Sequence, residues 1–312
     1  MKNRSLSLFA GLLLALPLFG QAPLPDGSLR FLVVGDWGRR GAHHQKETAD
    51  QMGHTATEMS AQFVVATGDN IYDDGVRDVH DSLWKFSFED IYTAPSLQVP
   101  WYVSLGNHDY RTNPQAQVEY TLFSPRWKLP ARYYTVAWQI TPEVAAEFFV
   151  VDTSPFISGY YKDPKYIKSV TGQDTQAQLA WLEQKLAAST AKWKIVVGHH
   201  TIYSSSAKHG DNDDMIRAFR PLLEKYGVQA YLNGHDHDME VIKEGPVYYI
   251  TSGAGSSVRG EMKPGANSLF ANGTESGFLA VKITPDSFNY RFIDWQGQVL
   301  FTSSIPAAAE AK

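Results

Sequence analysis

Five times along this chain a short apolar run breaks at a glycine and delivers a carboxylate, an amide or an imidazole. The runs are Leu29 to Val34 before Asp36 (GDWG), Phe63 to Ala66 before Asp69 (GDNIY), Trp101 to Leu105 before Asn107 (GNHD), Trp193 to Val197 before His199 (GHH) and Val228 to Leu232 before His235 (GHDHD). Each predicts a buried strand ending in a glycine turn. Strands lying side by side in one sheet share a carboxyl edge, where open α/β sheets place their ligands. Five polar tips on one crevice supply enough ligands for two metal ions. Taken singly, each turn is ordinary: Asp69-Asn70 reads as a turn, Asp36 as a helix cap, and a His-x-His pair as a packing feature. Their recurrence in one chain turns the reading toward a joint site.

The rest of the chain supplies the layers such a site needs. Lys46 to Ser60 predicts a helix feeding the second strand, and Asp174 predicts the N-cap of a helix over Thr175 to Ala188. There Leu179, Leu182 and Leu186 recur at helical spacing, so one face packs on a sheet. A third helix is expected over Asp214 to Tyr226, stopped by Gly227. Val247 to Thr251, Phe278 to Ile283, Ser287 to Phe292 and Val299 to Thr302 read as antiparallel strands. The fold class expected is α/β, a sandwich of two mixed sheets flanked by helices. Between Thr153 and Gly172 a long loop carries Phe156, Tyr160, Tyr161 and Tyr166, expected to pack over the rim of the site.

Composition bounds the function classes. With 312 residues, 43% of them hydrophobic, and a net charge of -5, the chain can bury a large core and has no global basic character, so no nucleic-acid partner is expected. Cysteine is absent, which excludes disulfides and a thiolate nucleophile. Lys2 and Arg4, the apolar stretch Leu6 to Phe19 and the small residues around Ala22 read as a cleaved export signal, so residues 1–22 are expected to be removed and the product to be secreted or periplasmic, with no membrane partner afterwards. Residues 23–305 are then one domain and 306–312 a disordered tail. No oligomeric state is legible in the composition.

Carboxylate, imidazole, amide oxygen and phenolate without thiolate suit iron, zinc or manganese. Asp69 follows the second strand where it reaches both ions, and a bridging carboxylate holds two cations about 3.5–4 Å apart, the spacing used for in-line phosphoryl displacement.

The order GDxG, GDNxY, GNHD, GHxx, GHDH resembles the calcineurin-like metallophosphoesterases, and Tyr72 in GDNIYDDG with Trp37 in GDWG is similar to the small, tartrate-resistant type of purple acid phosphatase. The likeness runs from about Leu29 to Pro306 and includes Trp181-Leu182, Arg220-Pro-Leu-Leu, Tyr226-Gly-Val and Ser252-Gly-Ala-Gly. It implies a ferric ion held by Asp36, Asp69, Tyr72 and His237, and a divalent iron, zinc or manganese held by Asp69, Asn107, His199 and His235. It also implies that Asn107 and His108 contact a small phosphate ester, that His108 protonates the leaving group, and that His209 is a catalytic histidine on the substrate side. His200 would stand behind the ligands, and His43, His44, His54 and His80 would be surface or packing residues. The implied activity is a secreted acid phosphatase that hydrolyses phosphate monoesters by attack of metal-bound hydroxide on phosphorus, and a purple colour from phenolate bound to ferric iron. The alternatives are a metal-dependent phosphodiesterase or nucleotide hydrolase, and a non-catalytic metal- or phosphate-binding protein.

Overall fold

A computed structural model describes residues 22–307, so the expected export signal up to residue 21 and the tail from residue 308 lie outside the described residues. The strands of the first half are β1 (Leu29–Val34), β2 (Phe63–Ala66), β3 (Trp101–Val103), β4 (Trp127–Lys128), β5 (Tyr134–Gln139), β6 (Ala145–Val150) and β7 (Trp193–Val197). Those of the second half are β8 (Ala230–Asn233), β9 (Met239–Glu244), β10 (Val247–Ser252), β11 (Ser268–Asn272), β12 (Gly277–Ile283), β13 (Ser287–Asp294) and β14 (Val299–Pro306). They form two seven-stranded mixed sheets, ordered β14-β13-β12-β1-β2-β3-β4 and β11-β9-β10-β8-β7-β6-β5. Each sheet has a parallel centre, β1 through β4 in one and β6, β7, β8, β10 in the other. Parallel strands are covered on both faces, which is why β2 is buried at every position and its sequence is continuously apolar.

The sheets face each other across an aromatic core. Phe31 of β1 stacks on Phe63 of β2 with ring centroids 4.8 Å apart and meets Phe148 of the second sheet edge-on at 5.3 Å. The helix Gln45–Met59 buries Ala49, Met52 and Ala56 in this core. The helix Thr175–Ala188 buries Leu182 and Leu186 in a second cluster on the other side of the second sheet, and the Asp174 carboxylate caps it by accepting from the Ala177 amide at 2.9 Å.

The five polar tips do not share one sheet. β1, β2 and β3 belong to the first and β7 and β8 to the second, so the crevice lies between two carboxyl edges. Register keeps the tips level: Val34 pairs with Ala66 and Ala66 with Val103, while Val197 pairs with Leu232. The edges are stitched together by Ser252, whose carbonyl accepts from the Gly35 amide at 2.7 Å and whose hydroxyl donates to the Val33 carbonyl at 3.0 Å. The Ser104 hydroxyl does the same to the Val151 carbonyl at 3.1 Å.

Five expected elements differ. The helix expected over Asp214 to Tyr226 is two, Asp213–Ala218 and Arg220–Lys225, because Pro221 has no N–H to continue the ladder. β8 begins at Ala230 rather than Val228, since the Val228 amide is spent on the Leu223 carbonyl in the turn closed by Gly227. β3 ends at Val103, and β10, read as antiparallel, pairs parallel with β8 on one side and antiparallel with β9 on the other. β14 continues to Pro306, opposite Ser287.

Candidate metal centre

Three of the expected ligands sit where side-chain-bearing residues are uncommon: Asp36, Asp69 and His235 have φ of 60°, 48° and 72°. Backbone in this left-handed region persists where neighbours hold it, and such residues cluster at functional sites. Here the Asp36 amide donates to the Gly68 carbonyl at 3.0 Å, the His235 amide to Asp36 Oδ2 at 2.9 Å and the His108 amide to Asp69 Oδ1 at 2.7 Å. The adjacent glycines are steric necessities. A Cβ on Gly106 would lie 2.0 Å from the Asp69 amide nitrogen, and one on Gly68, whose φ is +94°, would lie 2.6 Å from the His199 ring.

Asp36, Asp69, Tyr72 and His237 form one donor set. The Tyr72 hydroxyl is 3.0 Å from Asp36 Oδ1, from Asp69 Oδ2 and from His237 Nε2. One phenolic proton cannot satisfy three acceptors. Burial, reinforced by the Asp69 charge, pushes the Asp36 carboxyl well above its usual range, and burial holds His237 well below the imidazole range and so neutral. Burial also works against the Asp69 carboxylate, but the surrounding imidazoles, His199 and His108 foremost, outweigh it and keep this group below the usual range.

Asn107, His199 and His235 form the other set. The His199 Nδ1–H is spent on the Thr67 carbonyl at 2.9 Å, so Nε2 carries a lone pair. That lone pair faces Asn107 Oδ1 at 3.1 Å, and His235 Nδ1 lies 3.0 Å from the same oxygen. The Asn107 amide nitrogen is identified by its own bond to the Tyr166 hydroxyl at 3.2 Å. His199 Nε2 and Asn107 Oδ1 therefore present lone pairs to each other in a buried site, an arrangement that a cation satisfies. Both sets fit bound metal ions. Asp36, Asp69 and His199 each offer a ligand atom within 4.8 Å of the others.

His200 likewise has a ring nitrogen close to those of His199 and His235, yet its Nδ1 is paired with the Thr153 hydroxyl and its Nε2 with the Tyr160 hydroxyl, both at 2.8 Å. With both nitrogens engaged it buttresses the ligands. His108 Nδ1 bonds the Asp73 carbonyl, leaving Nε2 3.8 Å from Asp69 Oδ2. Burial, partly offset by Asp69, holds its imidazole below the usual range. His209 Nδ1 lies 2.5 Å from Asp236 Oδ1, and its ring stacks on His235 at 4.5 Å. Among the unassigned histidines, His44 stacks on Trp295 at 4.2 Å and His80 meets Phe123 edge-on at 5.5 Å.

Residues that the motif reading overlooked complete the site. Asp109, the last letter of GNHD, accepts from the amides of Gly106 at 2.8 Å, Asn70 at 3.1 Å and Ile71 at 3.2 Å, locking the second and third turns together, and burial pushes its carboxyl up to about 7. Asp236, between the two terminal histidines, holds His209 and accepts from the Ser204 hydroxyl at 2.6 Å. The loop aromatics divide. Phe156 packs edge-on against Phe219 at 4.7 Å, whereas Tyr160 and Tyr166 stack on each other at 4.2 Å and form a wall of the pocket. That pocket, 510 Å³, opens over Asp69, Asn107, His108, His209 and His235.

Comparison with known proteins agrees with this geometry. Residues 29–239 match the calcineurin-like phosphoesterase family. The chain is 43% identical over 291 residues to purple acid phosphatase 4 of Arabidopsis thaliana, covering 89% of this chain and 84% of that one. It is 35% identical to tartrate-resistant acid phosphatase type 5 of Homo sapiens, covering 92% and 94%. Among solved structures it superposes on GAP50, the anchor in the inner membrane complex of Plasmodium, with a TM-score of 0.78, 27% identity and 90% of each chain covered. It shares the fold of the purple acid phosphatase PPD1 from yellow lupin seeds, with a TM-score of 0.66 and 18% identity over 91% of this chain and 55% of that one. On the family match and these identities, the chain belongs to the calcineurin-like phosphoesterases and, within them, to the purple acid phosphatases.

Proposed function

We propose that Asp36, Asp69, Tyr72 and His237 hold a ferric ion, that Asp69, Asn107, His199 and His235 hold a divalent iron, zinc or manganese, and that the protein acts outside the cytoplasm, secreted or periplasmic. As a member of this family the chain is a dinuclear-metal phosphatase that hydrolyses phosphate monoesters. The observation that carries the ligand assignment is how Asp69 divides its oxygens. Oδ2 lies 3.0 Å from the Tyr72 hydroxyl and Oδ1 3.4 Å from His199 Nε2, one oxygen toward each donor set. The ions would supply positive charge against which a phosphate dianion can be attacked, and would make water acidic enough to ionise near neutral pH.

The remaining work falls to the chain's own groups. His108 Nε2 faces the pocket while its Nδ1 is tied to a carbonyl, so it is placed to hydrogen-bond the ester or hand a proton to its leaving oxygen. Because burial lowers its pKa, the protonated form persists only on the acid side, which places the basic limb of the rate profile below the usual imidazole range. His209 also lines the pocket, with Asp236 fixing its tautomer. The Tyr160–Tyr166 wall shields the reacting centre from water.

Metal analysis of purified protein, with a visible spectrum before and after mild reduction, tests the assignment. Tyr72→Phe is expected to abolish the visible charge-transfer band while leaving a divalent ion bound, and an unchanged spectrum would show that Tyr72 only packs beside the turn. His108→Gln is expected to lower kcat/KM for an aryl phosphate by about 100-fold, within the range usual for a proton-transfer group. Its basic limb should also disappear from the pH profile. Relative turnover of monoesters and diesters by one preparation separates the monoesterase from a phosphodiesterase. The likeness to an anchor protein favours a second, non-catalytic reading, for which phosphate esters would bind the metal-loaded protein without turnover.

A further inference from the structure

The aromatic loop between β6 and the helix Thr175–Ala188 does more than wall the pocket, because one of its hydroxyls reaches a ligand. Tyr166 is 6% exposed and stands at the start of the short helix Ile167–Val170, where its carbonyl accepts from the Ser169 and Val170 amides at 2.9 and 3.0 Å. Its side-chain oxygen is the meeting point of three N–H groups: Asn107 Nδ2 at 3.2 Å, Arg111 Nε at 3.0 Å and Arg111 Nη2 at 2.9 Å. Two of the three come from one edge of a single planar guanidinium. The rest of that guanidinium is anchored as well, since Nη1 donates to the Asp73 carbonyl at 3.2 Å and to the Asp74 carboxylate at 3.3 Å, on the turn that carries Tyr72. The Tyr166 oxygen is thus fixed between a metal ligand and a clamp on the second turn.

This matters because an asparagine side chain presents an oxygen on one side and an NH2 of nearly the same shape on the other, and only the oxygen can bind a cation. Asn107 Oδ1 lies 3.1 Å from His199 Nε2 and 3.0 Å from His235 Nδ1. Without an ion, the lone pair of His199 Nε2 would be served equally well by the NH2 end. The bond from Nδ2 to Tyr166 turns the amide the other way, oxygen toward the imidazoles. A second contact runs from the loop to the same donor set. Tyr160 stacks on Tyr166 at 4.2 Å and its hydroxyl pairs with His200 Nε2 at 2.8 Å, and the His200 ring lies 4.4 Å from that of His235.

We propose that Tyr166 is a positioning residue for the divalent ion, and that through it the aromatic loop and that ion are coupled, each holding the other in place. This rests on the assignment of Asn107, His199 and His235 to the divalent ion made above and adds a conformational partner to it. The source of the coupling is orientation: with Tyr166 docked, an arriving ion meets an amide already turned, and it does not have to break a buried hydrogen bond to turn it. Coupling of this kind is reciprocal, so whatever the docked loop adds to the ion's affinity the bound ion returns as stability of the loop. The wall of the pocket is therefore firm when the metal centre is complete and loose when it is not.

The test removes the divalent ion by mild chelation and titrates zinc ion back into wild type, Tyr166→Phe, Arg111→Lys and Tyr161→Phe, with total metal per chain counted and hydrogen exchange followed over residues 153–172. Tyr161 lies in the same loop, but its hydroxyl donates to the Pro155 carbonyl at 2.9 Å, so its variant controls for general damage to the loop. Tyr166→Phe is expected to weaken zinc binding by about 10–100-fold, the range for residues that orient a ligand. Zinc should slow exchange of the loop in wild type and not in this variant. Arg111→Lys keeps the charge and loses the fork, and its affinity should fall between the two, while Tyr161→Phe should bind zinc as wild type does. Unchanged zinc affinity in Tyr166→Phe, equal weakening in Tyr161→Phe, or loop exchange in wild type that ignores zinc would each overturn the coupling. If Tyr166→Phe fails to fold, Arg111→Lys and the zinc dependence of exchange in wild type decide. Wild type that never reaches two ions per chain would refute the two-ion assignment instead.

Discussion

Asp69→Asn is expected to strip both metal positions together and to lower kcat/KM for an aryl phosphate by at least about a thousandfold, beyond the 10–100-fold typical of residues that only support a ligand. Replacing His235 or His237 should cost less, because each belongs to one donor set, whereas the oxygens of Asp69 face both. Asparagine retains an oxygen to accept from the His108 amide. It gives up the interaction with His199 and His108 that holds the Asp69 carboxyl below the usual range, so the metal-free variant is expected to unfold earlier than metal-free wild type near neutral pH, a difference that fades in acid. Metal content and activity should vanish together, and retention of a full complement of either ion would show that Asp69 is not shared between two ions.

The ligand turns were legible because each advertises itself locally: an apolar run, a glycine, then a donor. The same holds for β1, β7 and the helix Thr175–Ala188, where strand composition or helical spacing coincides with a stop or a cap and the expected bounds match. Signals failed where the decisive partner is distant. β5 and β11 are half-buried on exposed edges and carry no continuous apolar run. The division of the five tips between two sheets depends on cross-sheet bonds such as Ser252 to Gly35, which no local pattern announces. Asp109 was in plain view inside GNHD, yet accepting backbone amides from another turn has no spacing signature.

Removing the metals is expected to lower the unfolding temperature by about 8–16 °C, from about 4 kcal/mol of binding stabilisation at thousandfold ligand excess and roughly 2–4 °C per kcal/mol for a chain of this size. The gap between loaded and metal-free protein should itself depend on pH, and Asp36 sets the sign. Burial, then the Asp69 charge, raises its carboxyl well above 3.8 in the metal-free fold. Such a group contributes stability that is present below the unfolded pKa and lost as pH rises through the raised one. A bound cation keeps Asp36 ionised and removes that loss, while in acid it must displace the proton. The gap therefore widens as pH rises from about 4, the unfolded carboxyl's value, through the raised range of Asp36. Other buried carboxyls cancel from the comparison: Asp152, raised by burial to about 6 beside Arg132 and Tyr110, and Glu240, raised by burial to about 7, ionise alike in both forms because neither belongs to the donor sets. Calorimetry of loaded and chelated protein at matched ionic strength across that window measures the gap directly. A gap that stays constant would mean that no proton leaves Asp36 when the metals bind, and would remove this residue from the ligand set.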